Sequence, residues 1–330
     1  MTVLCLSYPS DPHLQAVLAK CEDADVAVFW PPTYPQKQKL SYTWQNKGND
    51  DLLITLLDGT TIESSQITSV YWRRLRDTGL PEEDDTSFEA YNKTMSRPLI
   101  RAFEYAMPTA KWLSTPTSIV EADNKILQLM RANSLGFNLP PTYIGNDAKD
   151  ARDFVNCHNG DFIVKQTDHY DKPLYVKRWY GKQELKFSFT SKKFTKAQLL
   201  THLPHLANAP AIVQTYVPKK TELRITVVGD KIFPCSINAQ NSELGKVDWR
   251  YYDMDNTLHE AYTLPTDVEQ KCFALVKELG LNFGCIDMVV TPDDEHVFLE
   301  INPNGQWLWI ENLLPELTIS QAIADFLTTP

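Results

Sequence analysis

The part of this chain that most restricts its fold lies near its end, in "FGCIDMVV" and "EHVFLEINPNGQW". Each run is apolar enough for a buried strand. Yet Asp287 interrupts the first, and Glu300 and Asn302 interrupt the second. Side chains on a strand alternate between faces, so residues 300 and 302 point the same way. The intervening "TPDDEH" suits a hairpin-type connection, which sets Asp287 opposite Glu300 on adjacent strands. Two carboxylates at that range repel unless positive charge lies close by. One solution is a hard divalent cation, because Asp, Glu and Asn oxygens are the ligands magnesium prefers. The other is a carboxylate paired with Arg or Lys, with its neighbour facing water. The two strands alone leave both solutions open. Pro-Asn-Gly then ends the second strand at once.

Composition narrows the class. A chain of 330 residues is long enough for two or three domains. Its net charge of -10 argues against a duplex nucleic-acid partner, which needs a basic footprint, but permits a local basic pocket for a phosphate ligand. No apolar run is long enough to span a bilayer, so no membrane partner is expected. The first residues lack the cationic start and long apolar stretch of a signal peptide. The cysteines at 5, 21, 157, 235, 272 and 285 show no close pairing. Buried reduced thiols in a cytoplasmic protein are the simplest expectation. A zinc site is not expected, since only Cys157 and His158 are neighbours.

The pattern of apolar residues predicts an α/β (α+β) chain. Strands are expected at 3–7, 26–30 and 67–75, with a short helix around 14–20. "DLLITLLDGTTIES" gives a hairpin through Asp-Gly. A long helix is expected over 87–107, kinked or interrupted at Pro98. Residues 115–137 read as one helix, with Ser118 and Glu121 forming a capping box and Gly136 as the stop. Two strands around a glycine turn are expected over 174–190, and three strands over 211–240. Helices at 266–281 and 319–327 flank the two strands described above. The expected domains are 1–115, an N-terminal α/β unit; 116–210, a central unit with a hairpin lid; and 211–330, a C-terminal unit.

Three further features carry chemistry. "FIVKQ" places Lys165 inside an apolar strand, where an unpaired ammonium is costly. A phosphate partner would explain it, and so would snorkelling from a strand edge. Tyr216-Val217-Pro218 joins two strands, either as an ordinary connection or as a hinge whose backbone reads a purine edge. Glu222 and Arg224 lie two apart and therefore share a strand face.

Taken in order, these pieces resemble the ATP-grasp family over roughly residues 115–327. The likeness rests on a helix carrying Lys125, the strand lysine Lys165, the hinge "QTYV", the "ELR" run, "IDMVV" and "EINPNGQW". Within that superfamily, "ELRITVVGDKIFPCSINAQ", "VDWRYYD", "EINPNGQW" and the "YWRR" around Arg73 and Arg74 are similar to the peptide-cyclising ligases that make graspetides, the microviridin-type enzymes. One departure is Gln214, where many ATP-grasp enzymes carry Glu at the start of the hinge.

The resemblance implies an ATP-grasp fold with an N-terminal pre-ATP-grasp domain. It implies an ATP- and Mg2+-dependent ligase that phosphorylates Asp or Glu side chains of a ribosomal precursor peptide. Ester or amide rings with Thr, Ser or Lys would follow. Lys125 and Lys165 would hold the α- and β-phosphates, with Gln214, Tyr216 and Val217 at the adenine. Glu222 would serve the ribose or the metal shell. Asp287, Glu300 and Asn302 would hold magnesium. Arg224, and secondarily Arg250, would stabilise the acylphosphate; on the residues alone each is equally readable as a surface charge. Arg73 and Arg74 would contact substrate. The basic hairpin with Lys177, Arg178, Lys182 and Lys186 would dock the leader, cover the ATP, or both. The family relation also implies a homodimer. Two alternatives share the same nucleotide site: a RimK-like ligase that adds a free amino acid to a peptide or protein, and a nucleotide-binding regulatory protein without catalysis.

Overall fold

The computed structural model describes residues 2–22, 24–43, 51–73, 88–167, 175–177, 182–184, 191–238 and 257–329. Its first sheet is parallel, in the order Asp25–Phe29, Thr2–Leu6, Ile67–Trp72, Lys111–Trp112. Every residue of Thr2–Leu6 is buried, as expected of a parallel strand covered on both faces. Leu4 and Leu6 face a core with Phe29 and Phe103, whereas Val3 and Cys5 face one with Leu14, Val17 and Ile323. A three-stranded antiparallel sheet of Lys39–Tyr42, Leu52–Thr55 and Thr61–Glu63 contains the expected hairpin. Gly59 takes the positive φ of 88° that its turn requires. The helix Phe88–Ala106 continues through Pro98.

The second main sheet is antiparallel, ordered Lys192–Phe194, Phe162–Lys165, Ala211–Thr215, Thr142–Gly145. Helices Ala148–Cys157 and Lys196–His202 cover it with Ala151, Val155 and Leu199 against Phe162 and Val213. The strand Ala211–Thr215 pairs within this sheet, and the chain leaves it at the hinge that follows. Strands Tyr175–Lys177 and Lys182–Glu184 pair antiparallel, and the expected glycine turn between them lies outside the described residues.

The third main sheet is also antiparallel, ordered Leu258–Ala261, Lys231–Asn238, Thr221–Val228, Phe283–Val290, His296–Asn302. Helix Thr266–Glu278 packs Cys272, Leu275 and Val276 on one face, and helix Ile319–Thr328 packs Ile323 and Leu327 on the other. Cys5, Cys235 and Cys285 are buried free thiols, while Cys157 is exposed. Among the described residues no helix is long and apolar enough to cross a membrane.

One expected element divides in two. Residues 115–137 form the helices Pro116–Ala122 and Lys125–Ser134. Thr115, not Ser118, caps the first, accepting from the Ser118 N–H. Asn124 opens the second, its side-chain oxygen accepting from the Ile126 and Leu127 N–H groups at 3.0 and 3.2 Å. The stop at Gly136 holds, with φ of 74°. The break sets Lys125 at the first position of a fresh helix.

A buried polar cluster ties the first sheet to the turn after Asn302. Arg73 donates from Nη1 to the Asn304 carbonyl (3.1 Å), the Asn304 side-chain oxygen (3.1 Å) and the Gly305 carbonyl (3.0 Å). Its Nε lies 3.5 Å from Asp11. Ser7 donates to Asp11 at 2.7 Å. The Trp307 N–H donates to His13 Nε2, which leaves the proton on Nδ1 facing Asp11 at 3.2 Å. Burial alone would push the Asp11 carboxyl up, but His13, Ser7 and Arg73 outweigh it and hold it at about 2.

Two outcomes follow from this cluster. Arg73→Met strands a buried carboxylate, and should lower the unfolding free energy by roughly 3–5 kcal/mol in urea titration; a loss below about 1 kcal/mol would contradict the brace. Because the Asp11 carboxyl is lowered in the fold, the unfolded chain binds more protons as pH falls. Stability should be fully present above about pH 4 and decline towards about pH 2, and that step should vanish in Asp11→Asn.

Candidate active site

The site lies where the second and third sheets meet. The last strand of the third sheet pairs with Phe283–Val290 so that Asp287 stands opposite Glu300, with an irregularity just after Asp287. On the other side of Phe283–Val290, Arg224 stands opposite Asp287. Three charged positions thus lie abreast on neighbouring strands. The hinge after Thr215 crosses to the second sheet, whose strand Phe162–Lys165 ends with Lys165 facing the same cleft.

The cleft is open to solvent and spans about 670 Å³ of empty space, its mouth included. It is lined by Lys165, Gln214, Tyr216, Val217, Glu222, Asp287 and Glu300, together with Thr215, Lys219 and apolar neighbours such as Ile163, Val289 and Leu299. A smaller cavity beside it adds Lys125 and Gln128. The polar groups of one end therefore face an apolar slot near the hinge, which suits a ligand with a flat apolar part and a charged tail.

Each carboxylate is paired. Arg224 donates from Nη1 to both Asp287 oxygens at 2.9 Å. Lys125 donates to Glu300 at 2.7 Å. The bland alternative is thus half realised: both carboxylates have cationic partners, yet both are half-buried with side chains 13% exposed. Burial alone would lower the Arg224 pKa, but the Asp287 charge raises it above the ordinary value. Asn302 donates its side-chain N–H to Asp287 at 3.2 Å. At the hinge, Gln214 donates to the Thr142 hydroxyl at 3.0 Å and Lys219 donates to Glu222 at 2.7 Å. The Tyr216 N–H donates to the Asp161 carbonyl, and Lys193 sits 3.8 Å over the Tyr216 ring.

Several expected residues fall elsewhere. Arg73 is 1% exposed and occupied by Asp11, Asn304 and Gly305. It braces the turn behind the site. Arg224 is buried beside Asp287 and donates from Nη2 to the Gln306 carbonyl. Lys177 and Lys182 stand opposite each other in the hairpin. Arg74, Arg178, Lys186 and Arg250 lie outside the described residues. Sequence reading missed Lys219 and Gln128. The first is hidden in an ordinary-looking "PKK"; the second follows Lys125 by three, a helical spacing that puts both on one face.

The donor set fits magnesium held jointly with phosphates. Among the described residues no group of three or more His, Cys, Asp or Glu could hold a metal alone. Two carboxylates and an amide, flanked by guanidinium and ammonium groups that balance their charge, would supply part of an oxygen shell that phosphate oxygens complete.

No family model and no curated protein matches the chain. Solved structures do. A RiPP-associated ATP-grasp ligase from Chryseobacterium gregarium, in complex with ADP and a leader and core peptide, is 28% identical. It covers 99% of this chain and 96% of its own, with a TM-score of 0.83. The macrocyclase MdnC from Microcystis aeruginosa MRC, bound with precursor peptide MdnA, is 29% identical over 100% of both chains, TM-score 0.81. The macrocyclase MdnB from the same organism is 27% identical, covering 100% of this chain and 99% of its own, TM-score 0.76. The fold is that of the ATP-grasp ligases. Within them, the chain is similar end to end to the graspetide-type ligases.

The turn after Asn302 is packed without room for a side chain. A Cβ on Gly305 would lie 2.6 Å from the Cys285 Cβ and 2.8 Å from Arg224 Nη2. Gly305→Ala should therefore cost about 1–3 kcal/mol in urea unfolding. A change below about 0.5 kcal/mol would mean that the turn relaxes freely.

Proposed function

We propose that this protein is an ATP-dependent ligase that closes ester or amide rings between side chains of a ribosomally made precursor peptide. The observation that carries the reading is the convergence of Lys125 and Lys165 with Asp287 and Glu300 at one end of a hinge-lined cleft. End-to-end likeness to ligases whose structures hold ADP or precursor peptides supports it.

In the proposed reaction an Asp or Glu carboxylate of the peptide attacks the terminal phosphorus of ATP. The phosphorus–oxygen bond to ADP breaks and an acylphosphate forms. A Thr or Ser hydroxyl, or a Lys amine, then attacks the acyl carbon, loses its proton and expels phosphate. Each ring removes the elements of one water from the peptide. Lys165 and Lys125 offset phosphate charge, the latter exchanging Glu300 for a phosphate oxygen. Gln214, Tyr216 and Val217, with Thr215 beside them, are proposed at the adenine, and Glu222, held by Lys219, at the ribose. Bound magnesium would neutralise charge as the phosphoryl group moves, held by Asp287, Glu300 and Asn302. Arg224, which donates to both Asp287 oxygens, is proposed to stabilise the acylphosphate. Arg250 is proposed at the acylphosphate, and Arg74 with the basic hairpin of Lys177, Arg178, Lys182 and Lys186 at the peptide's leader.

Mass spectrometry after co-expression with the peptide encoded beside the gene is the test. Loss of one water mass per ring is the expected result, whereas a gain of amino-acid residues would establish the free-amino-acid ligase instead. Asp287→Ala or Glu300→Ala should cut product formation by about a hundredfold or more with the fold retained, and full activity in either would defeat the metal assignment. Replacing Lys182 and Lys186 by Glu should weaken peptide binding more than ATP binding, as read by titration calorimetry. Unchanged peptide affinity would leave that hairpin without a docking role.

A further inference from the structure

The strand His296–Asn302 is the outer edge of its sheet, so alternate backbone groups have no strand partner. Ile301 is one such residue. It sits between Glu300 and Asn302, its side chain is 1% exposed in the core, and its backbone N–H and C=O face away from Phe283–Val290. Both groups are taken by one side chain. The Ile301 N–H donates to Gln128 Oε1 at 3.1 Å, and Gln128 Nε2 donates to the Ile301 carbonyl at 2.8 Å. The second amide hydrogen goes to the Ala122 carbonyl at 2.7 Å, at the end of the preceding helix. Gln128 is 3% exposed, and Lys125, one turn earlier on the same helix, holds Glu300.

We infer that Gln128 is a positioning residue for the metal-holding edge. Its amide acts as a one-residue strand partner. It fixes the rotation of the chain at Ile301, and with it the direction in which Glu300 and Asn302 leave the strand. The rigid core anchor of Ile301 below and the amide clamp beside it leave those two side chains one shared direction, towards Asp287. The clamp also couples the edge to the helix break at Asp123–Asn124, because the Ala122 carbonyl completes the amide's bonds. Gln128 itself touches neither nucleotide nor metal, and acts through Glu300 and Asn302. The inference rests on the ligase reading for the identity of the ligand, magnesium with a nucleotide.

The test is titration calorimetry of ADP with the full chain at graded Mg2+, comparing wild type, Gln128→Met, Glu300→Ala and the double variant. Methionine keeps the volume and loses both hydrogen-bonding functions. For Gln128→Met the Mg2+ concentration that half-maximally tightens ADP binding should rise about tenfold. ADP affinity without Mg2+ should stay within about twofold, and in the Glu300→Ala background the substitution should add less than about twofold. An unchanged Mg2+ requirement would overturn the inference. So would equal weakening with and without Mg2+, or an undiminished effect in the Glu300→Ala background. Should Gln128→Met not fold, Gln128→Glu carries the same comparison, since it keeps the acceptor for Ile301 and loses the donor; the expected rise is again about tenfold. Water loss from the peptide is scored separately. Its absence in a wild type that binds Mg2+ and ADP would defeat the ligase reading while the calorimetric comparison still decides Gln128.

Discussion

Two carboxylates held side by side on neighbouring strands repel, and much of the C-terminal half answers that repulsion. Asp287 and Glu300 share a register position, and neither is free in water. Arg224 approaches Asp287 from the strand on one flank, and Lys125 approaches Glu300 from a helix on the other. Half-buried charges of one sign would otherwise force protonation or separation of the strands. A cation entering between them would have to displace or share those partners. The cost of gathering the negative groups is met in folding and not in binding.

The turn that follows the pair is held from behind. Arg224 reaches the Gln306 carbonyl, and Arg73 takes the carbonyls of Asn304 and Gly305. Two buried guanidinium groups from different sheets thus grip one turn. Gly305 is required there because its Cα lies against Cys285 and Arg224. Through Arg73 and Asp11 the first sheet, which lends no residue to the cleft lining, bears on where the last strand ends.

Strand-borne features were legible in the sequence because their period is two and their polar interruptions are rare. Asp287 and Glu300 could be set opposite each other from the apolar runs and the short connection between them, whereas Lys165 and Glu222 joined them only through the family resemblance. The hinge at Tyr216-Val217 was legible as a connection between two runs. Helix-borne features were less so: residues 115–137 look continuous, and only the side chain of Asn124 reveals the break. Nothing local marks Arg73 as buried: the carbonyls it binds, of Asn304 and Gly305, are more than 230 positions away in sequence. Gln128 carried no signal beyond its spacing from Lys125, since a glutamine on a helix is ordinarily a solvent-facing residue.

In the proposed reaction a peptide carboxylate is phosphorylated before its ring closes. The most direct measurement supplies a precursor peptide whose Asp and Glu side chains carry heavy oxygen, with ATP, Mg2+ and the protein, and then examines the released phosphate. Transfer of one labelled oxygen to phosphate for each ring formed is the expected result. Unlabelled phosphate released alongside ring formation would contradict carboxylate activation at this site.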